Sequence, residues 1–268
     1  MTTTNNYAIR GGVEGRERLR TLSRAMHPYS SALFDRLGLR NGMACLDVGC
    51  GGGDATIELG RRVAPDGRAV GVDIDETKLA LARDDARSHG VANVEFRRLD
   101  FAQAADADQY DVVYARFLLT HLRDPRAAVE ALHRHLRPGG LVAVEDIDFS
   151  GSFAYPPSKA FARYWELYCA VVDRRGDDPN IGPKLPLLLE ACGFDAVDVS
   201  IVQPAGMRGD AKLIGPLTME NIADSVIADG LAARDEIDAL VRDMYAYVSD
   251  PKTITGLPRV VQAWGRRS

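Results

Sequence analysis

The sequence predicts an α/β fold in which a doubly wound, mostly parallel β-sheet carries helices on its faces. Between residues 43 and 149, short apolar runs rich in β-branched residues alternate with segments of helical periodicity, which is the pattern of such a sheet. The first run ends in three alternating glycines, Gly49, Gly51 and Gly53. Because glycine lacks a Cβ, this turn lets the backbone approach a ligand closely.

Five strands and the helices between them follow from local signals. The predicted strands span residues 44–48, 69–73, 94–99, 110–114 and 141–145. A helix over 54–63 follows the glycine turn. Asp75 can cap the next helix and Gly90 can end it. Asp124 and Pro125 supply the cap and first position of a helix that runs to residue 136.

Helical patterns dominate after residue 149. Helices are predicted over 158–176 and 183–193, and strand-like runs occupy 196–202 and 259–264. Between the two runs lies an insertion, at about 207–252, whose apolar periodicity favours ordered helices over a disordered loop. We expect residues 1–42 to form an N-terminal helical cap segment. Residues 43–268 would form one domain that carries the insertion as a helical lid.

The composition is that of an ordinary globular protein. Of the 268 residues, 46% are apolar and 26% charged, and the formal net charge is -5. This acidic balance disfavours nucleic acid or an anionic membrane as a partner. The four cysteines show no C-x-x-C spacing, so neither a disulfide framework nor a zinc site is indicated. A polar N-terminus without a secretory apolar stretch predicts a cytoplasmic location, whereas the oligomeric state is not indicated.

Acidic residues surround the predicted glycine turn. Asp47 precedes the turn, Asp54 follows it, and Asp73 ends the second strand. In nucleotide-binding folds, an acid at the end of that strand bonds the ribose hydroxyls. A nicotinamide dinucleotide is disfavoured, because the glycine spacing is G-x-G-x-G and Asp54 at the helix start would repel a pyrophosphate. The pattern favours a nucleoside ligand that carries positive charge.

Five motifs together resemble those of class I S-adenosylmethionine-dependent methyltransferases. The motifs are LDVGCGGGD, VGVDID, RRLDF, YDVVYARFLLTHL and LRPGGLVAVED. Within that family the chain is similar to the small-molecule branch, which includes the ubiquinone/menaquinone-type and natural-product methyltransferases. The resemblance implies a Rossmann-like, seven-stranded sheet with an antiparallel last strand. It also implies S-adenosyl-L-methionine as the cofactor and a small-molecule acceptor.

The resemblance further implies which residues contact the methionine half of the cofactor. The backbone of the glycine turn would do so through Gly49, Cys50, Gly51 and Gly53. Asp47 would lie near the amino group of the cofactor, and Ala115 and Arg116 would line its sulfonium end. Tyr7 and Arg18 would close over the cofactor from the N-terminal segment. The alternative for Arg116 is an ion pair with an acid on the surface. The alternative for Tyr7 is a disordered or simply packed segment, because termini often fray.

On the adenosine half, the resemblance assigns four residues. Asp73 would bond the ribose, and Ile74 would lie against the adenine face. Asp100 would accept a hydrogen bond from the adenine amino group, and the Phe101 amide would support the ring nitrogen. The alternative for Asp100 is a residue that stabilises its own turn, a common role of aspartate.

Methyl transfer needs alignment of nucleophile, methyl carbon and sulfur more than it needs acid–base chemistry. A base is required only for an acceptor that is protonated at the working pH. His121 is the candidate catalytic base, because it lies just beyond the fourth strand, at the end of the sheet where open α/β sheets bind ligands. The alternative is a packed histidine that links the loop to the following helix.

Two further side-chain groups follow the fifth predicted strand. Asp146 and Asp148 would point to the same side, as two ligands of a divalent metal would. The metal site of catechol methyltransferases, which this pair resembles, also needs a further acid and an asparagine. Neither can be identified in this sequence, so no metal is expected. The alternatives for both aspartates are solvation and pairing with arginine. Phe153 and Tyr155, in a loop with two prolines, are the predicted walls of the acceptor pocket. The aromatic residues over 161–168 are explained mostly by helix packing.

The sequence therefore predicts methyl transfer from S-adenosyl-L-methionine to an oxygen, carbon or nitrogen atom of a small, partly apolar molecule. Two alternatives remain open. The chain could use the same cofactor for non-methylating chemistry such as cyclisation, or it could be a non-catalytic regulatory protein that binds the cofactor. The glycine turn does not separate the three, because binding and turnover use the same residues.

Overall fold

The structure, a computed structural model, describes residues 15–101 and 109–268. Its first half contains α1 (Arg16–Arg36), β1 (Ala44–Val48), α2 (Asp54–Val63), β2 (Arg68–Asp73), α3 (Glu76–Ser88), β3 (Val94–Arg98), β4 (Tyr110–Arg116), α4 (Pro125–Arg134) and β5 (Leu136–Asp148). Its second half contains β6 (Ala154–Tyr155), α5 (Lys159–Arg174), α6 (Leu185–Ala191), β7 (Phe194–Val202), β8 (Ala205–Gly206), α7 (Asp210–Ala228), α8 (Arg234–Ser249), β9 (Ile254–Gly256) and β10 (Arg259–Arg267).

Seven strands form one sheet in the order β3-β2-β1-β4-β5-β10-β7. The pairs from β3 to β5 are parallel, and β10 is antiparallel to both of its neighbours. This confirms the predicted doubly wound sheet with an antiparallel last strand. The strand order reverses between β1 and β4, and open α/β sheets bind ligands outside the carboxyl ends of the strands at such a point.

The fifth strand is longer than the sequence predicts. It begins at Leu136, which pairs with Tyr110 across a register shift, and it continues to Asp148 instead of ending at residue 145. The extension beyond residue 145 pairs with the start of β10 in antiparallel register, Asp148 lying opposite Arg259. The partner strand comes from the far end of the chain, so no local signal marked this extension.

Apolar clusters cover both faces of the sheet. On one face, α4 and α6 pack over β1, β4 and β5 through apolar side chains such as Leu132 of α4 and Leu185 of α6. On the other face, α1 and α2 pack through Phe34 and Leu59. All five residues of β1 are buried, because helices lie on both of its sides.

Four helices form a separate apolar cluster above the carboxyl ends of the strands, and we call α1, α5, α7 and α8 the helical cap. The cluster includes Met26, Leu167, Ile222 and Met244, one from each helix. Helices α7 and α8 occupy the stretch for which the lid insertion is predicted, and α1 lies within the predicted N-terminal cap segment. A second sheet of β6, β9 and β8, which the sequence did not predict, borders this cap. Within the described residues, no helix is long and apolar enough to span a membrane.

Candidate functional site

The glycine turn between β1 and α2 has the backbone that only glycine adopts readily. Gly49, Gly51 and Gly53 have φ values of 70°, 52° and 79°. A Cβ on Gly53 would lie 2.6 Å from the Phe96 ring, so this glycine is needed for packing. A Cβ on Gly51 would meet nothing within 4 Å, because this glycine faces an open cleft. The turn therefore has one glycine that packs inward and one that leaves room for a ligand.

Two carboxylates anchor this turn. The Gly51 N–H donates to Oδ2 of Asp73 at 3.0 Å, and the Asp75 N–H donates to Oδ1 at 2.9 Å. Beneath the turn, the Thr56 hydroxyl donates to the buried carboxylate of Asp47 at 2.6 Å. Burial raises the pKa of Asp47 to about 7, although the Thr56 hydrogen bond acts in the opposite direction. Asp47 and Asp73 thus hold the turn and face the cleft at the same time.

Arg116, at the end of β4, lines the same cleft and forms an ion pair with Asp54 at 2.7 Å. Burial acts to raise the pKa of Asp54, but Arg116 and several hydrogen bonds outweigh it and hold the pKa below its ordinary value. The pairing with an acid that the sequence left open for Arg116 is therefore present, in the cleft rather than on the surface. It also compensates the charge of Asp54 at the start of α2.

The cleft runs along the carboxyl ends of β1, β2 and β4, and we call it the cofactor cleft. Its two halves share Gly49, Asp73, Leu118 and His121, so they are continuous. On the methionine side the wall includes Arg18 of α1 and Lys78 of α3. The predicted residues on its walls are Asp47, Gly49, Cys50, Gly51, Asp73, Ile74, Asp100, Phe101 and Arg116.

The other predicted cofactor residues lie elsewhere. Gly53 packs behind the turn, and the side chain of Ala115 is fully buried in the core of the sheet. Tyr7 lies outside the described residues. The roles of all these residues stay predictions, but the placement of Ala115 leaves only its backbone for a contact with the cleft.

A second cavity, which we call the inner pocket, lies under the helical cap. Its walls are Arg18, Leu22, Phe117, Thr120, His121, Ile147, Phe149, Tyr164, Tyr168, Ile214, Thr218, Leu257 and Pro258. Arg18, Leu22, Phe117 and His121 also line the cofactor cleft, so the two cavities meet at these side chains. The rings of Phe149 and Tyr168 stack with their centroids 4.0 Å apart and form one apolar wall.

The predicted acceptor-pocket residues Phe153 and Tyr155 lie outside this wall. Tyr155 is 67% exposed and pairs with Ile254 in the small second sheet, and the Phe153 carbonyl accepts a hydrogen bond from Thr255. Instead, the inner pocket is lined by Tyr164 and Tyr168 of α5. The sequence alone attributes these two aromatic residues to helix packing. Their spacing of four residues places them on one helix face, but only the position of α7 turns that face into a pocket wall.

His121 lies where the cofactor cleft and the inner pocket meet. It ends a 3₁₀ turn over Leu119–His121 that follows β4. Burial is the main cause that lowers the pKa of His121 to about 3, and the nearby positive charges of Arg18, Lys78 and Arg175 add to it. The imidazole is therefore neutral at physiological pH and takes up a proton poorly.

Phe117 is a site residue that the sequence did not indicate. It directly follows β4 with a φ of 53°, a conformation that costs energy for a bulky residue. Its N–H donates to the Glu145 carbonyl at 2.8 Å, and its ring lies between the cofactor cleft and the inner pocket. Such strain often occurs at functional sites, where the surrounding structure maintains it. A phenylalanine carries no local sequence signal for this conformation.

The carboxylates after β5 have partners. Asp148 forms an ion pair with Arg259 at 2.6 Å, which is the arginine pairing that the sequence left open. Asp146 accepts hydrogen bonds from the N–H groups of Thr120 and Ile147 at 3.2 and 2.9 Å, and burial raises its pKa to about 7. Among residues 15–101 and 109–268, no group of three or more potential ligands is arranged to hold a metal ion.

Comparison with known proteins agrees with this geometry. A family model described as a methyltransferase domain matches residues 39–174. The ubiquinone biosynthesis O-methyltransferase of Acinetobacter baumannii is 36% identical over 116 residues, covering 42% of this chain and 48% of that protein. A ubiquinone/menaquinone biosynthesis C-methyltransferase of Idiomarina loihiensis is 32% identical over 137 residues, covering 50% and 52%. The chain thus matches about half the length of these relatives.

Solved structures share the fold at low sequence identity. Phosphoethanolamine N-methyltransferase 2 of Haemonchus contortus, in complex with S-adenosyl-L-methionine, has a TM-score of 0.55 at 18% identity and covers 98% of this chain and 55% of its own. The [4+2]-cyclase SpnF has a TM-score of 0.52 at 19% identity and covers 88% and 80%. At such identities the likeness shows a shared fold.

Proposed function

Because the chain belongs to the methyltransferase-domain family, we propose that it transfers a methyl group from S-adenosyl-L-methionine to a small, partly apolar acceptor. The family that the sequence motifs predicted is confirmed, and the activity is our proposal. The observation that carries it is the junction of two unlike cavities. An acid-lined cleft at the glycine turn meets an apolar pocket under the helical cap at Phe117 and His121.

The cofactor cleft suits a cationic nucleoside. When bound, S-adenosyl-L-methionine supplies an electrophilic methyl group on a positively charged sulfur. Asp47, Asp54 and Asp73 line the cleft, and because Asp54 is paired with Arg116, Asp47 and Asp73 are the carboxylates that can attract the positive charge of the ligand. Each carboxylate oxygen of Asp73 accepts one backbone hydrogen bond and retains a lone pair for a ribose hydroxyl. The open space at Gly51 lets the backbone approach the ligand.

On the adenosine side, we propose that Ile74 and Phe101 enclose the adenine ring while Asp100 accepts from its amino group. All three line the same half of the cleft, and Ile74 is 47% exposed in the absence of a ligand. An exposed isoleucine beside a polar cleft gains from being covered by a flat ring. The cytoplasmic location and a role in natural-product biosynthesis stay predictions of the sequence.

At the acceptor end, the residues orient the acceptor and exclude water rather than supply strong acid–base catalysis. The stacked rings of Phe149 and Tyr168, with Ile147 and Ile214, enclose the inner pocket. A histidine with a pKa of about 3 is a weak base, so His121 is proposed to position the acceptor at the junction. Alignment of this kind can account for a large part of the rate enhancement of a displacement reaction.

The test is an incubation of the purified protein with S-adenosyl-L-methionine and a metabolite extract, followed by mass spectrometry. We expect formation of S-adenosylhomocysteine together with a product that is heavier by one CH₂ group. Asp73→Ala should weaken cofactor binding by about 10-fold or more, since it removes charge-assisted hydrogen bonds. The exposed Asp84→Ala on α3 is the matched control and should leave cofactor binding unchanged.

Two other outcomes would replace this proposal. Cofactor binding with a new product of unchanged methyl content would favour non-methylating chemistry such as cyclisation. Cofactor binding with no product in any extract, and no S-adenosylhomocysteine formed, would favour a regulatory protein. Unchanged cofactor affinity in Asp73→Ala would show that the ribose assignment is wrong.

A further inference from the structure

Arg18 differs from its neighbours on α1. Arg20 forms an ion pair with Asp85, and Arg24 forms one with Asp210. In the part of the chain that the structure describes, no carboxylate pairs with Arg18, whose Nε donates to the Thr218 hydroxyl at 3.0 Å. Arg18 lines both the cofactor cleft and the inner pocket. Among the described residues, no carboxylate therefore balances the Arg18 guanidinium at the junction as Asp85 and Asp210 balance Arg20 and Arg24.

The inner pocket differs from the cofactor cleft in its acidic residues. The walls of the cofactor cleft include five aspartates, Asp47, Asp54, Asp73, Asp100 and Asp177, whereas none of the described residues on the walls of the inner pocket is an aspartate or glutamate. The polar groups of the pocket are the Arg18 guanidinium, the His121 ring and the hydroxyls of Tyr164, Tyr168, Thr120 and Thr218. The guanidinium and the hydroxyls can all donate hydrogen bonds at neutral pH, whereas the neutral His121 ring donates from only one of its two nitrogens.

Arg18 is half-buried beside two buried tyrosines, Tyr164 and Tyr168. Burial lowers the pKa of Arg18, and burial raises the pKa of Tyr164 and of Tyr168, so both phenols stay protonated. The field at the junction is positive, since Lys78 and Arg175 act on His121 in the same direction as Arg18. A partly buried cation without a counter-ion is costly, and an anionic ligand group would remove that cost.

Arg18 could instead bind the carboxylate of the cofactor, because it also borders the cleft. The positions of its contacts argue against this. Thr218, which holds the guanidinium, and Tyr164 and Tyr168, which flank it, belong to the inner pocket and not to the cofactor cleft. Lys78 and Arg116 already supply positive charge within the cleft. The guanidinium is therefore on the acceptor side of the junction.

We propose that the methyl acceptor carries a carboxylate beside an aromatic ring, and that Arg18 binds this carboxylate. The guanidinium has a planar set of donors that matches two carboxylate oxygens, and the Thr218 hydroxyl holds it in place. The stacked Phe149 and Tyr168 rings offer a flat apolar surface to the ring of the acceptor. The identification of this ligand as the methyl acceptor rests on the proposed function, whereas the binding of a carboxylate by Arg18 does not.

The test uses benzoate and phenylacetate as probes, with benzamide and phenylacetamide as their neutral counterparts. Each is titrated by calorimetry into the full-length protein, once alone and once saturated with S-adenosylhomocysteine. We expect both acids to bind more tightly than their amides in both states. Arg18→Gln should weaken acid binding by about 10-fold or more, and Arg18→Lys should weaken it less. Arg20→Gln, on the same helix, should leave it unchanged.

Several outcomes would overturn the inference. The first is equal binding of acids and amides to the wild-type protein. The second is undiminished acid binding in an Arg18→Gln variant whose circular dichroism and thermal unfolding match the wild type. The third is competition between the acids and S-adenosylhomocysteine, with loss of S-adenosylhomocysteine affinity in Arg18→Gln, which would assign Arg18 to the cofactor.

The two proposals can fail separately. If S-adenosylhomocysteine does not bind at all, the proposed function is wrong, and the titrations of the free protein still decide whether the inner pocket selects carboxylates. If S-adenosylhomocysteine binds and methyl transfer occurs only to amines or other cationic acceptors, the proposed function holds and the carboxylate assignment is wrong.

Discussion

The guanidinium of Arg116 lies 2.7 Å from the carboxylate of Asp54, which begins α2 directly after the glycine turn. The pair joins the end of β4 to the start of α2, which follows the neighbouring strand β1, and it therefore crosses the switch point of the sheet. The Arg116 side chain is only 11% exposed. The ion pair therefore fixes the two strand ends between which the cofactor would bind, and it balances an acid that would otherwise be poorly compensated.

Breaking this pair should destabilise the protein. Arg116→Met leaves Asp54 without its counter-charge, and we expect a loss of about 1–3 kcal/mol in the free energy of unfolding. The loss is below that of a fully buried pair, because the Asp54 side chain is 35% exposed and screened by solvent. Urea unfolding measures it, and Arg116→Met combined with Asp54→Asn should recover part of the loss. Arg126→Met, which breaks an exposed pair on α4, should cost less than about 0.5 kcal/mol.

Alanine substitutions at Gly51, Gly53 and Gly90 should separate the packing role of a left-handed glycine from its role in ligand access. All three substitutions at Gly51, Gly53 and Gly90 incur a backbone cost of about 1 kcal/mol or more, because each φ is positive. Gly53→Ala should be the most destabilising, since its Cβ would lie 2.6 Å from the Phe96 ring. Gly51→Ala should lower S-adenosylhomocysteine affinity, because its Cβ would enter the cleft.

Gly90→Ala is the matched control for that series. Its φ is 66° and a Cβ there meets nothing within 4 Å, but it lies after α3 rather than in the turn. Thermal unfolding and calorimetry of the three variants give the comparison. An equal loss of cofactor affinity in Gly51→Ala and Gly90→Ala would contradict the assignment of Gly51 to the cleft.

His121 should not titrate in the working pH range. With a pKa of about 3, the ring is neutral between about pH 5 and 8, so His121→Gln should leave the shape of the kcat/KM profile unchanged across that range. We expect a modest loss, on the order of 10-fold or less, because the variant loses positioning only. An inflection near pH 6–7 in the wild type that disappears in His121→Gln would instead make His121 a catalytic base.

The wall of the acceptor site can be tested with two tyrosines. Tyr168→Leu removes a ring that stacks on Phe149, and we expect the KM of the acceptor to rise by about 5- to 30-fold. The KM of S-adenosyl-L-methionine should change little, since Tyr168 lies outside the cofactor cleft. Tyr155→Leu alters the residue that the sequence favoured and should leave both constants unchanged, because its side chain is mostly exposed. If Tyr155→Leu raised the KM of the acceptor more than Tyr168→Leu does, the prediction that Tyr155 lines the acceptor pocket would be correct after all.

Asp146 makes the stability of the protein depend on pH. Its folded pKa of about 7 lies above its ordinary value of 3.8, so the folded protein keeps a proton that the unfolded chain releases. The contribution of Asp146 to stability therefore falls as the pH rises from about 4 to 7, by up to about 4 kcal/mol. Asp146→Asn should remove this pH dependence of the free energy of unfolding. Any other effect of the substitution on stability should be the same at every pH. Urea unfolding at several pH values measures the difference, and parallel curves for variant and wild type would show that burial does not raise the pKa.

The parts of the site that local motifs encode could be predicted. Asp73 ends a strand two residues before a helix cap, and the glycine spacing specifies the turn, so both are set by interactions within a few residues. The extension of β5 to Asp148 could not be predicted, because its partner Arg259 lies more than a hundred residues away.

The sequence by itself determined the family, the parallel strands of the main sheet and the glycine turn, because short-range backbone geometry and apolar periodicity depend on neighbouring residues. Only the tertiary structure decided the inner pocket. Arg18 and Thr218, which meet there at 3.0 Å, are 200 residues apart, and Phe117 owes its positive φ to the strands and helices around it. An amphipathic helix shows which of its faces is apolar, but which helix covers that face depends on packing across the whole chain.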